Sequence, residues 1–141
     1  IDIFIVPTVK EKKVQEDTVN TIRALRAIGV PSNKIRVVFN KLDVDENPSD
    51  EFPGIYGLAA SEKACVVSDD ATIRTNEVFE RMKALGKSLG DLVNDSTDYR
   101  QKLREAKEKE EQERCVQMIA LKRLSVTASE NMDRVHAALV K

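Results

Sequence analysis

Two short β-rich apolar runs, Ile3-Phe4-Ile5-Val6 and Ile35-Arg36-Val37-Val38-Phe39, flank a stretch in which Val14, Thr18, Ile22, Leu25 and Ile28 recur every three or four positions. Short runs rich in β-branched residues read as buried strands, and a recurrence of three to four reads as one face of a helix. Pro7 closes the first run, and Gly29 with Pro31 ends the helical stretch. Strand, helix and strand over this span form a right-handed βαβ unit with parallel strands. The first run is expected to be buried on both faces, as strands of a parallel sheet are. The predicted class is therefore α/β, a partial parallel sheet built on that unit.

The rest of the chain extends the pattern and then leaves it. Val44 to Pro53 is acidic and turn-prone, an exposed loop, and Gly54 to Ala60 suits a short helix. Ala64-Cys65-Val66-Val67-Ser68 is the candidate third strand, with Asp69-Asp70 just beyond it to cap the next helix or face a ligand. Val78, Phe79, Met82 and Leu85 mark that helix, stopped by Gly86, and Leu89, Leu92 and Val93 continue after Ser88; all are assigned to the core. Thr97 to Lys122 reads as one long helix, nearly all charged from Arg100 to Arg114, with Glu and Lys four residues apart on an exposed face or on a coil that meets a partner. Cys115, Met118, Ile119 and Leu121 restore an apolar stripe, and Thr127-Ala128-Ser129-Glu130 matches a capping box opening a last helix with Met132, Val135 and Leu139. The division expected is an α/β part over 1–95 and a charged, all-helical extension over 96–141.

Composition narrows the partners. In 141 residues, 23 Lys and Arg nearly cancel 24 Asp and Glu, leaving a net charge of −1 and no global attraction to nucleic acid or anionic lipid. Cys65 and Cys115 lie far apart and match no metal spacing, so both are expected as small buried hydrophobes in a reducing compartment. No apolar run approaches the roughly 18 residues of a membrane span, and no signal peptide precedes the first strand, so the expected setting is the cytoplasm without a membrane. Initiator Met is normally trimmed before small residues only, so a chain opening on Ile1 is expected to be a fragment of something longer. No catalytic or metal-binding set stands out: His136 is the only histidine, and Lys10, Lys12 and Lys13 make a small basic cluster after the first strand, solvated or touching phosphate or DNA.

The chemistry-bearing run is Asn40-Lys41-Leu42-Asp43, at the carboxyl end of the second strand, where parallel sheets bind their ligands. In an N-K-x-D run the Asn amide meets the purine N7 and its neighbouring exocyclic group, and the Lys stem packs across the ring. The Asp carboxylate accepts from N1–H and the 2-amino group of guanine; adenine offers Asn a bidentate partner but gives Asp no donor there. ATP and GTP both stay open on this chemistry. The structural alternative is a strand-end turn in which Asn40 and Asp43 bond backbone groups.

Ile1 to Thr8, the helix to Ile28, and Ile35 to Lys41 resemble the second half of the ParA and MinD class of P-loop ATPases, closest to the plasmid-stability StbB type. Val66 to Arg74 is similar to that family's last strand and adenine-side loop, and Gly86 to Leu92 to the segment before its C-terminal helices. The resemblance implies that 1–95 is the C-terminal part of a P-loop NTPase-like domain acting in plasmid partition. It also implies ATP as the nucleotide, a homodimer when full length, and an adaptor protein or DNA as partner. Asn40 carries over as the purine contact and Asp70 as part of the loop beside the base. The chain departs from the family in holding no G-x-x-x-x-G-K-[ST] loop, so the phosphate grip and Mg²⁺ are expected in a missing amino-terminal half and this chain is expected to be inactive alone.

Overall fold

The computed structural model describes residues 2–141. One compact unit takes the chain up to Thr75 together with Asn131–Lys141, and a second takes Asn76–Glu130. In the first unit β1 (Phe4–Thr8), α1 (Lys12–Ala27) and β2 (Ile35–Leu42) form the expected βαβ unit. β1 and β2 are parallel, in register from Phe4 opposite Ile35 to Thr8 opposite Phe39. β3 (Thr72–Arg74) lies parallel on the other side of β2, giving the order β1-β2-β3. The class is thus α/β with a helical extension.

Helix α1 stops where its chemistry requires. Gly29 takes a φ of 97°, open to a residue without Cβ, and lets the Gly29 and Val30 amides bond the carbonyls of Arg26 and Leu25. Ile28, expected on the buried stripe, is instead 78% exposed at this cap. Ile22 is fully buried in the core cluster that also holds Ile35, Val37 and Phe39 of β2, and Leu25 packs against it, partly buried. α2 (Pro48–Glu51) is capped by the Asn47 side chain, and α3 (Pro53–Ser61) brings Ile55 and Leu58 onto the same core. The Phe39 ring lies 4.7 Å from Phe52 and stacks on Tyr56 at 5.3 Å, which anchors the carboxyl half of β2.

Several expectations need correction. The first strand is not buried on both faces: Phe4 and Ile5 are 40% and 53% exposed, because β1 is an edge strand. Ala64 to Ser68 does not form the third strand. It makes a single parallel bridge, Arg36 with Val66, then a turn in which the Ala71 amide bonds the Ser68 carbonyl, and pairing resumes at Thr72. Asp69 and Asp70 occupy that turn and cap no helix; the next helix starts at Val78, whose amide is met by Asn76 Oδ1.

The second unit is helical. α4 (Val78–Leu85) ends at Gly86 with φ 66°, and α5 (Leu89–Val93) opens on a reciprocal Ser88–Asp91 capping box. Val78 and Leu92 pack with Leu121 and Ala128, whereas Phe79 and Leu85, assigned to the core, are 38% and 49% exposed. The helix expected over Thr97–Lys122 is broken. α6 (Tyr99–Glu105), capped by Asp98, ends where Ala106 turns extended and buried, and α7 runs over Lys109–Leu139. The capping box expected at Thr127–Glu130 lies inside α7. Buried Leu121, Ser125, Ala128, Asn131 and Val135 repeat at helical spacing straight through it, and that burial outweighs a local stop signal. Among the described residues no helix is long and apolar enough to cross a membrane.

Candidate functional site

The carboxyl end of β2 carries a bulge. Phe39 and Leu42, three residues apart, pair with Thr72 and Arg74, two apart, so β2 holds one extra residue. Lys41 absorbs it with a φ of 58°, a left-handed conformation that costs a residue with a Cβ about 1 to 2 kcal/mol. Strict alternation would send Phe39 and Leu42 to opposite faces; the bulge lets both be fully buried in one core while Asn40 and Lys41 are left toward solvent.

The polar groups around the bulge are tied together. Asn40 Oδ1 accepts from the Lys41 amide at 2.8 Å, and Asp43 Oδ1 accepts from the Thr75 hydroxyl at 2.7 Å. The Asp43 amide donates to Glu46 Oε1, and the Arg74 guanidinium donates to the carbonyls of both Asp43 and Glu46, which closes the turn after β2. Lys10, between β1 and α1, reaches Glu46 at 2.7 Å. That hydrogen bond holds the Glu46 carboxyl below its usual range and the Lys10 ammonium above its own. The loops after β1, β2 and β3 thus meet in one cluster at the carboxyl end of the sheet.

Asp70 lies apart from it. It sits in the turn before β3, its amide bonded to Ser68 Oγ, while the residues that join Asp43 are Arg74 and Thr75 at the far end of β3. Asp69 accepts from the Tyr56 hydroxyl, and burial, aided by that hydrogen bond, raises the Tyr56 pKa. Starting the third strand eight residues early hid Arg74, Thr75 and Glu46; the β-branched pair Thr72-Ile73 was the available signal. Cys65 and Cys115 are both buried and free, and burial pushes the Cys65 thiol up to about 11.

Chemically, the cluster keeps unused capacity. Asn40 Oδ1 has a second lone pair, and neither its Nδ2 nor Asp43 Oδ2 has a protein partner among the described residues. An Asn amide with a free donor and a spare lone pair has the groups that meet the N7 edge of a purine, and a free carboxylate oxygen is the acceptor that the N1–H and 2-amino edge of guanine requires. No grouping of His, Cys, Asp and Glu able to hold a metal occurs among the described residues. No protein-family model, curated protein or solved structure matches the chain.

Proposed function

We propose that this chain is the base-recognition part of a partition-type, ParA-like nucleotide-binding ATPase acting in plasmid stability. The observation that carries the reading is the left-handed bulge at Lys41 within Asn40-Lys41-Leu42-Asp43, at the carboxyl end of the central parallel strand. Backbone strain of this kind gathers at ligand sites, and the carboxyl ends of parallel strands are where ligands bind. Asn40 meets the purine edge, the Lys41 stem covers the ring, and Asp43 decides between adenine and guanine. Asp70, which the family pattern would set beside the base, sits in the turn before β3 and is not counted in this site. ATP is the nucleotide the resemblance favours, and GTP the one Asp43 allows. The phosphates and Mg²⁺ are held outside this chain, whose sequence has no phosphate loop.

A second reading has its own support: Asn40 and Asp43 already bond Lys41 and Thr75, as they would in a strand-end turn of a non-catalytic interaction module. Titrating labelled ATP and GTP into the chain separates the two. Nucleotide recognition requires Asn40→Ala to weaken binding by about 1 to 3 kcal/mol, the scale of a bidentate base contact. It also requires Asp43→Ala to erase any guanine preference while sparing ATP. Unaltered affinity for both nucleotides in Asn40→Ala would leave the module.

A further inference from the structure

Every polar atom of Asp43 but one is engaged. Its amide donates to Glu46 Oε1 at 2.8 Å, its carbonyl accepts from the Arg74 guanidinium at 2.8 Å, and its Oδ1 accepts from the Thr75 hydroxyl at 2.7 Å. Oδ2 has no protein partner among the described residues. The turn after β2 is already closed without the Asp43 side chain, because Arg74 bridges the Asp43 and Glu46 carbonyls and the Glu46 amide donates to the Asp43 carbonyl. The Thr75 bond therefore acts on the carboxylate itself, fixing where it points. Thr75 is well placed to do so. It follows β3 as Asp43 follows β2, its amide donates to the Leu42 carbonyl at 2.9 Å, and its branched side chain is stiff about χ1. Both residues are exposed, so the held carboxylate is open to a ligand.

We propose that Thr75 is a positioning residue that commits this site to guanine: by holding one carboxylate oxygen of Asp43, it aims the other at the edge where guanine carries N1–H and its 2-amino group. This rests on the nucleotide reading above and narrows it to one purine. Guanine offers two donors at that edge, and an ionised carboxylate that accepts one hydroxyl still has lone pairs for both. Adenine offers the unshared pair of N1 instead, with no amino group beside it. A carboxylate that cannot turn away then meets adenine lone pair against lone pair, which is selection by repulsion as well as by attraction. A free Asp43 would swing clear of adenine and accept either base. Selection therefore needs the Thr75 bond as well as the Asp43 carboxylate.

Titrations of labelled GTP and ATP into the full chain test it, together with three-bond couplings of the Asp43 β-protons measured without nucleotide. The native chain is expected to favour GTP by about tenfold, the scale of one good base contact, and Asp43 to hold a single side-chain rotamer. Thr75→Val keeps the shape and removes the hydroxyl at an exposed position. It is expected to stay folded by circular dichroism, to average the Asp43 couplings and to lower the GTP:ATP affinity ratio by about threefold or more on the same scale. Thr75→Ser is expected to restore both, and Thr21→Val, at an exposed threonine of α1, to change neither. A ratio that moves in Asp43→Ala and not in Thr75→Val would overturn the role of Thr75 and leave nucleotide recognition standing. Averaged Asp43 couplings in the native chain, or binding without preference for GTP, would overturn it as well. Binding of neither nucleotide would defeat the nucleotide reading itself, and this assignment with it.

Discussion

The carboxyl end of β2 and the outer edge of β1 belong to one small sheet and solve the problem of polar backbone in opposite ways. Around the ends of β2 and β3 polar groups are tied by side chains: Arg74 donates to the Asp43 and Glu46 carbonyls, the Thr75 hydroxyl donates to the Asp43 carboxylate, and Asn131 of α7 holds the β3 backbone. On β1, apolar side chains stand in solvent beside unpaired amides and carbonyls. The contrast teaches that internal hydrogen bonding and readiness to bind are separate properties. The first region is pre-organised, so a ligand there meets groups already held in place. The second is a sheet edge, where no described strand meets the outer side of β1.

The largest effect is expected where the closed region is opened. Asn131→Leu removes both bonds to β3 and leaves the Thr72 carbonyl and the Arg74 amide unpaired in a buried setting, at a cost of about 2 to 4 kcal/mol. Urea unfolding would show it as a lowered midpoint, and a loss near zero would mean the β3 edge is no better closed than β1. Next comes Arg74→Met, which keeps the stem and loses the donors to two carbonyls. Its expected cost is about 1 to 2 kcal/mol, read the same way.

A smaller change of opposite sign sharpens the comparison. Lys41→Gly relieves the left-handed backbone, offset by the greater freedom of glycine in the unfolded chain, so stability is expected to rise by about 0.5 kcal/mol. Nucleotide affinity should fall in the same variant as the Lys stem is lost. A drop in stability would mean that the side chain, not the turn, matters there.

The smallest effect is the pH response of the Lys10–Glu46 pair, which is partly exposed. Glu46 titrates below its ordinary 4.5 in the folded protein, so its contribution is present above that value and is lost as pH falls through the folded value. Lys10 titrates above 10.5, so its share is present below that value and is lost as pH rises through the folded value. Unfolding curves of the native chain and Glu46→Gln should differ by a constant amount between those limits and converge in acid. A difference unchanged down to pH 2 would detach the pair from stability.

The βαβ unit was legible because its signals are local: β-branched runs of strand length, a helical repeat and a glycine stop at Gly29. The placement of Asn40 and Asp43 at the end of β2 followed from the same pattern. Hidden were features set by tertiary contacts. The bulge at Lys41 exists because Leu42 is drawn into the core with Phe39, and β3 is short and displaced because the Ser68–Ala71 turn interrupts it. Neither leaves a mark on hydrophobic periodicity. Ala106 broke a helix that charge pairing alone supported, and the stripe from Leu121 to Val135 carried α7 through a capping signal at Thr127. Exposure of β1 was invisible for a further reason: an edge strand and a central strand of a parallel sheet read alike.

Nitrogen-edited NMR during addition of ATP bears most directly on the central claim, that the end of β2 recognises a purine. The account predicts saturable shifts of the Asn40 side-chain amide and of the Lys41 and Asp43 backbone amides, with the Ile5 amide unmoved and the shifts lost in Asn40→Ala. No shift at residues 40 to 43 up to millimolar ATP, or shifts that persist in Asn40→Ala, would contradict it.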